Sequence, residues 1–340
     1  MSNPNIAILG ATGVVGTEIK NILETSSITP ASIKFLASAK SAGKDISFKG
    51  KTYKLEEATP EAFDGVDIVL ASAGAGTSKT FVEEIVKRGG IIVDNSSAFR
   101  MDKDVPLVIA GVNDDDLRLH KGIVANPNCS TSQLMLVLKP LNDFAKIKRL
   151  IVSTYQAVSG AGKEAIDELK ANVEARVSGK DFENKKFVKE IAFNVIPQID
   201  VFTENGYTKE EMKVTNETRK ILHLSENVPV SCTAVRVPVY TGHSEAVNVE
   251  FEEAISPEKA RELLSSAYGV EIIDNPEKSE YPLPLYAAGK DPVYVGRIRK
   301  DIAFENGLAM WVVADNLRIG AALNTVRIAE KLVEMDLLRK

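Results

Sequence analysis

The stretch Asn126-Pro127-Asn128-Cys129-Ser130-Thr131-Ser132 places a thiol immediately before the run Gln133 to Phe144, which reads as a helix, with hydroxyl residues available to cap its first turn. At a helix N-terminus, unpaired N–H groups and the positive end of the macrodipole favour the thiolate, which is the nucleophilic form. The alternative is a buried cysteine acting as a small hydrophobe. Cys232, within the strand-like run Val228–Val235, fits that second description. A nucleophilic thiol needs a partner that handles protons, and histidine is the usual one. Of the three histidines, His243 in Tyr240-Thr241-Gly242-His243-Ser244 lies in a turn between strand-like runs. His120, and His223 inside the helical run Ile221–Leu224, read as structural. A satisfied structural histidine remains the alternative for His243 as well.

A second constellation lies at the amino end. Gly10-Ala11-Thr12-Gly13-Val14-Val15-Gly16 follows an apolar strand and opens a helix. Its glycines allow a tight turn and close backbone approach, and the helix N-terminus can meet a pyrophosphate. The same pattern also serves as a plain glycine-rich turn without ligand. Sheets that prefer NAD usually end the second strand with a carboxylate that holds the ribose hydroxyls. Here Ser38-Ala39-Lys40-Ser41-Ala42-Gly43 stands instead, so a 2′-phosphate is expected on Lys40 and its hydroxyl neighbours, and NADP is the expected cofactor. A solvated loop lysine is the plainer reading of Lys40. Ser72 and Gly74, in Ser72-Ala73-Gly74-Ala75-Gly76, are expected at the same sheet edge, bordering the cofactor.

The elements that must position these groups change character along the chain. Strands at Asn5–Leu9, Ile33–Ala37, Val66–Ala71 and Ile91–Asp94 alternate with helical runs at Val14–Glu24 and Thr77–Arg88, the latter ended by Gly89-Gly90. Nearly continuous apolar strands in that order predict an α/β unit, a Rossmann-type doubly wound parallel sheet. After Cys129 the strands lengthen and alternate, as in Ala246–Phe251, which predicts a second α+β domain with a largely antiparallel sheet and one wet face. The charged stretch Gly162 to Phe187 reads as mostly helical, broken at Ser178–Asp181. The amphipathic run Leu317 to Leu338 is expected to return to the first domain. The expected division is therefore 1–128 plus 317–340 for the nucleotide domain and 129–316 for the catalytic and dimerisation domain.

Bulk properties narrow the class. A chain of 340 residues has room for two cores. A formal net charge of −5 without a long basic run argues against nucleic acid as a partner. Two cysteines are too few for a disulfide framework, and three histidines leave little for a metal site, so no metal is expected. Neither a secretory pattern nor an apolar run of transmembrane length is present in the sequence, and a soluble cytoplasmic protein is expected.

Taken together, Gly10–Gly16, Asn126–Ser132, Gln156-Ala157-Val158-Ser159-Gly160, Glu210–Lys213, Arg236 and Gly242–Ser244 resemble bacterial aspartate-β-semialdehyde dehydrogenases, in order and across essentially the whole chain. The resemblance implies that Cys129 carries an acyl thioester, that His243 is the general acid/base and that Gln156 orients substrate and intermediate, although an amide there can equally cap a loop. It implies that Arg236 grips the substrate α-carboxylate, where a planar fork gives bidentate contact, and that Glu210 holds the amino group. Arg100, Lys213 and Asn128 are implied as phosphate ligands. By spacing alone Glu210 and Lys213 are also an ordinary i,i+3 ion pair. Thr12 to Val15, Lys40-Ser41, Ser159-Gly160 and Asn316 are implied around the cofactor; at Asn316 some members carry Gln. The glycine motif matches the shorter branch of the family.

The implied reaction is the NADP-dependent reduction of L-aspartyl-4-phosphate to L-aspartate-4-semialdehyde and phosphate, within lysine, threonine, methionine and isoleucine biosynthesis, by a homodimer or dimer of dimers. Alternatives are another acyl-phosphate reductase, of the N-acetyl-γ-glutamyl-phosphate or glyceraldehyde-phosphate type, and a nucleotide-sensing protein without catalysis.

Overall fold

The computed structural model describes residues 3–338. From the amino end the elements are β1 (Asn5–Leu9), α1 (Val14–Thr25), β2 (Ser32–Ala37), β3 (Asp45–Phe48), β4 (Lys51–Lys54), β5 (Glu56–Glu57), β6 (Ile68–Ala71), α2 (Ala75–Lys87), β7 (Ile91–Asp94) and β8 (Ile123–Ala125). They continue with α3 (Cys129–Phe144), β9 (Ile147–Gln156), α4 (Lys163–Ser178), α5 (Lys209–Ile221), β10 (Val230–Arg236), β11 (His243–Phe251), α6 (Pro257–Ser265) and β12 (Val270–Ile272). The last are α7 (Pro284–Ala287), β13 (Val293–Lys300), β14 (Gly307–Ala314) and α8 (Leu323–Glu334). The chain divides into two compact units, one reaching Asn128 and resuming at Ala321, the other running from Cys129 to Gly320.

The first unit is built on a parallel sheet of order β5-β2-β1-β6-β7-β8. Its central strands are apolar on both faces because helices cover both; β6 and β7 are buried at every position. After β2 and β5 the chain crosses over β1 to reach β6. The carboxyl ends of β1 and β6 therefore flank the topological switch point, where open α/β sheets bind ligands. Helix α8 packs on α1, β6 and β7. A buried amide network fastens it: Asn324 Nδ2 donates to the Val108 carbonyl at 3.0 Å and to Asn126 Oδ1 at 2.5 Å, and Asn95 Nδ2 donates to Thr325 Oγ1 at 2.8 Å. The return begins at Ala321 rather than 317, because Arg318–Ala322 forms a π-turn before α8 and its first residues pack in the second unit.

The second unit is built on a mixed sheet of order β10-β9-β11-β14-β13-β12. The inner pairings are antiparallel, and the two outermost, β10 with β9 and β12 with β13, are parallel. One face is covered by α3, which packs on β9, β11, β13 and β14. The other carries Ile151, Tyr155 and Trp311, with the Tyr155 and Trp311 rings 5.4 Å apart.

Three local expectations are corrected. Helix α3 starts at Cys129, four residues before Gln133, so Ser130, Thr131 and Ser132 are buried inside its first turn rather than capping it. The charged stretch is helical only to Ser178, because Gly179 takes the left-handed conformation that ends α4 and no helix resumes before Phe187. His223 is likewise not helical: it lies beyond α5 at φ 51°.

Candidate active site

In the first unit, Gly10 follows β1 at φ 86°, and its N–H donates to the Leu36 carbonyl at 2.9 Å. A β-carbon on Gly10 would stand 3.0 Å from Ser72 Oγ, and one on Gly16 only 2.1 Å from the Gly10 carbonyl oxygen. These glycines let β1, α1 and the end of β6 close on one another. Ser72 joins the same point by donating to the Gly10 carbonyl at 3.1 Å. Thr12 and Gly13 are exposed, Val14 and Val15 half-buried, and the first turn of α1 has no side-chain cap. Its amide donors are thus left for an anion. Ser38 and Lys40 are exposed and Ser41 half-buried in the turn after β2, and no carboxylate occurs from Ala37 to Gly43. Gly74 caps α2 and is exposed, with open space around it.

The second unit gathers the residues with reactive chemistry. Cys129 is the first residue of α3 and partly exposed. Gly320 packs against it so closely that a β-carbon there would lie 2.7 Å from the Cys129 β-carbon. On the sheet beneath, Arg236 is paired with Gln156 across β10 and β9. Strand β11 runs antiparallel on the far side of β9 with Ser244 opposite Tyr155, which brings His243 level with Gln156. Arg236, Gln156 and His243 thus form one row on adjacent strands, all buried. Period-2 alternation puts the three side chains on one face, the face that α3 covers.

The backbone of one residue locks two members of this row. The Ala157 N–H donates to His243 Nδ1 at 3.0 Å, and the Ala157 carbonyl accepts from Arg236 Nη1 at 2.7 Å. A ring nitrogen that accepts from a backbone amide carries no proton, so the neutral imidazole has its hydrogen on Nε2. That nitrogen is buried without a hydrogen-bond partner among the described residues. Burial holds His243 well below the ordinary imidazole value of 6.5, and the Arg236 guanidinium adds to the effect. Space beside Nε2 is left by Gly160, where a β-carbon would sit 3.2 Å from both His243 Nε2 and Arg236 Nη1. Burial pulls the Arg236 guanidinium down from its ordinary value, while Glu210 and Cys129 act in the opposite direction, so Arg236 feels both groups.

Glu210 and Lys213 come from the first two turns of α5. A capping box starts that helix: Thr208 Oγ1 accepts from the Glu211 N–H at 3.3 Å and Glu211 Oε2 from the Thr208 N–H at 2.6 Å. Such a cap contributes about 0.5–2 kcal/mol. Glu211 Oε1 also accepts from the Ala234 N–H at 2.9 Å, tying α5 to β10 and therefore to the strand of Arg236. Lys213 pairs with Glu210 at 3.0 Å and with Asp200 at 3.1 Å. Burial lowers the Lys213 ammonium, but the two carboxylates outweigh it and hold the group above its ordinary value. Asp200 is a site residue that motif reading does not find, since it comes from an irregular loop with φ 70°.

Arg100 and Asn128 are buried in the first unit, and Arg100 Nη2 donates to the Asn95 carbonyl at 2.8 Å. Ser159, Gly160 and Asn316 lie in the second. Asn316 Oδ1 accepts from the Gly242 N–H at 2.9 Å, and its amide bonds Ser159 Oγ at 3.0 Å through Nδ2. Asn316 is buried and joins the loop carrying Gly160 to the turn before His243. Among the described residues no cluster of His, Cys, Asp and Glu is arranged for a metal, and no helix is long and apolar enough to cross a membrane.

Comparison with known proteins gives the family of the chain. A family model described as semialdehyde dehydrogenase, NAD binding domain, matches residues 5–120, and one described as semialdehyde dehydrogenase, dimerisation domain, matches residues 138–319. The aspartate-semialdehyde dehydrogenase of Aquifex aeolicus is 53% identical, with 98% of this chain and 99% of that protein aligned. That of Campylobacter jejuni is 49% identical over 97% of each. The crystal structure of aspartate semialdehyde dehydrogenase II from Vibrio cholerae superposes with a TM-score of 0.95 at 43% identity, covering 98% of this chain and 99% of that one. Motifs, fold and likeness over nearly the full length agree, and the chain belongs to the aspartate-semialdehyde dehydrogenase family.

Proposed function

We propose that the chain is an NADP-dependent, phosphorylating dehydrogenase that reduces L-aspartyl-4-phosphate to L-aspartate-4-semialdehyde and phosphate through a thioester on Cys129. The observation that carries the reading is the position of Cys129 at the start of α3, within electrostatic reach of Arg236, in a unit that also buries Gln156 and His243 in the same row of the sheet. One crystal structure of the Vibrio cholerae relative is described as complexed with ASA, which supports the same substrate class here.

In the biosynthetic direction the Cys129 thiolate attacks the acyl-phosphate carbonyl. A carbon–sulfur bond forms, the carbon–oxygen bond to phosphate breaks, and the electron pair leaves with phosphate. Amide donors of the first turn of α3 stabilise the oxyanion of the addition step. Arg236 takes the substrate α-carboxylate and Glu210 its ammonium, and Gln156 orients the acyl group. The proposed phosphate ligands are Arg100, Asn128 and Lys213. A bound nicotinamide cofactor supplies the hydride that reduces the thioester. His243 donates a hydrogen bond from Nε2–H to the resulting hemithioacetal alkoxide and keeps its proton; the alkoxide collapses, the carbon–sulfur bond breaks, and the aldehyde leaves with the thiolate restored. Gly10, Thr12, Gly13 and the uncapped first turn of α1 would hold the pyrophosphate, with Lys40 and Ser41 at the 2′-phosphate. The uncapped helix tip and the absence of a carboxylate after β2 fit that group.

A homodimer is part of the proposal. The sheet face with Ile151, Tyr155 and Trp311 is not covered by α3, and apolar surface of that kind suits a second copy. The product would serve lysine, threonine, methionine and isoleucine biosynthesis in the cytoplasm. The test is the initial rate of NADPH formation from aspartate semialdehyde and NADP+, with and without inorganic phosphate. Turnover that requires phosphate is expected. Turnover that is independent of phosphate would remove the phosphate ligands from the reading, and activity only with another semialdehyde would replace the substrate.

A further inference from the structure

Below the reacting row lies a second polar row that takes no part in the chemistry described above. Glu245 is two residues beyond His243 on β11, so both side chains point to the face covered by α3. It stands opposite Thr154 on β9 and Val312 on β14 and is fully buried. Neither of its carboxyl oxygens has a hydrogen-bond partner among the described residues, and neither does Gln133 Oε1. Gln133 lies about one helical turn beyond Cys129 on α3. Its Nε2 donates to the His243 carbonyl at 3.4 Å, and its side chain is the polar neighbour that acts on the Glu245 carboxyl.

Buried acceptors that lack a donor are unfavourable, and an ionised carboxylate among them is more so. A single proton on Glu245 turns one acceptor into the missing donor, with Gln133 Oε1 as the acceptor that lacks one. Glu245 acts on Cys232 of β10, which also feels Glu210 and Glu211 of α5, and His243, two residues away on the same strand, feels Arg236; α3 brings Cys129 and Gln133, and β9 and β14 contribute only Thr154 and Val312 beside it. Burial dominates and pushes the carboxyl well above its ordinary value, against a smaller opposing effect of the Gln133 amide.

We propose that Glu245 and Gln133 form a neutral acid–amide couple that positions His243 relative to Cys129. It braces α3 against β11 one turn below the thiol and one strand alternation below the imidazole. The proposal rests on the reading of Cys129 and His243 as the reacting pair, and Glu245 is a positioning residue that acts through His243.

The test compares Glu245→Gln, Glu245→Ala and Gln133→Leu with wild type, by steady-state kinetics with aspartate semialdehyde, NADP+ and phosphate, and by Tm across pH. Glu245→Gln keeps a neutral donor and acceptor in nearly the same shape, so its kcat is expected within about threefold of wild type. Glu245→Ala and Gln133→Leu lose the brace and are expected to lower kcat about 10- to 100-fold with KM for NADP+ unchanged. If Glu245→Ala does not fold, Gln133→Leu decides this arm. The Tm arm needs no substrate. Folded wild type retains a proton that the unfolded chain releases above about pH 4.5, so its Tm is expected to fall with rising pH relative to Glu245→Gln. Equal loss of kcat in the Gln and Ala variants, full activity in Gln133→Leu, or parallel Tm curves would each overturn the couple. Wild type inactive on aspartate semialdehyde with a Tm difference intact would instead reject the substrate reading and retain the neutral carboxyl.

Discussion

The backbone N–H of Ala157 donates to Nδ1 of His243 at 3.0 Å, and this one bond fixes which ring nitrogen carries the proton. With Nδ1 engaged as an acceptor, the neutral ring presents Nε2–H. An imidazolium would need a proton on Nδ1 and would have to displace Ala157. Burial and the neighbouring Arg236 oppose the charged ring for separate reasons. In the proposed mechanism His243 therefore meets the alkoxide as a neutral donor.

Stability should record this. The folded protein keeps His243 neutral, whereas in the unfolded chain the ring takes a proton below its ordinary value of 6.5. The unfolded state binds more protons there, so stability is fully present above pH 6.5 and falls as the pH drops towards the depressed folded value. The slope for one buried group is about 1.4 kcal/mol per pH unit. Chemical denaturation of wild type and His243→Gln should diverge in this window, with the variant losing less on acidification. Parallel curves would mean that the ring is charged in the folded protein.

Gly160→Ala places a methyl group 3.2 Å from His243 Nε2 and Arg236 Nη1. Both side chains must yield by a few tenths of an ångström. The space that a substrate needs beside them is filled, so kcat/KM should fall about 10- to 100-fold, with little change in Tm. Unimpaired kinetics would show that the substrate does not use this space.

The candidates were few because the residue types are scarce. Among two cysteines and three histidines, Cys129 is singled out by its place before a helix and His243 by its turn, with a structural histidine left as the alternative. The parallel sheet was legible from apolar strands alternating with helical runs. The start of α3 was not, because Ser130, Thr131 and Ser132 have the composition of a cap while their burial makes them interior. The lock on His243 was hidden for a different reason: it is made by the backbone of Ala157, which leaves no mark in residue type. Glu245 is in phase with Val247, Val249 and Phe251 on β11, so alternation puts it on the apolar face, and only its charged residue type disguises the burial. Asp200 reaches Lys213 from a loop 13 residues away, a pairing that no periodicity encodes.

Asn316 separates two roles for the loop after β14. Its Oδ1 is taken by Gly242 and its amide bonds Ser159. Asn316→Ala should destabilise the protein by about 1–3 kcal/mol through the unsatisfied Gly242 N–H, and should lower kcat more than it raises KM for NADP+. A rise in KM for NADP+ with kcat and Tm unchanged would return this residue to direct cofactor contact.

Lys40 tests the choice of dinucleotide. It is exposed in the turn after β2 with no carboxylate beside it. Lys40→Ala should raise KM for NADP+ about tenfold and leave KM for NAD+ nearly unchanged, because only the former carries a 2′-phosphate. Equal effects on both dinucleotides would place the 2′-phosphate elsewhere.

The thioester on Cys129 is most directly tested by mass spectrometry of the intact protein and of its proteolytic peptides. The enzyme would be mixed with aspartate semialdehyde and NADP+ in the absence of phosphate, then quenched in acid. An aspartyl adduct on the Cys129 peptide is expected, formed with a burst of NADPH, discharged on adding phosphate and absent from Cys129→Ala. A burst that persists in Cys129→Ala, or an adduct on any other residue, would contradict the mechanism.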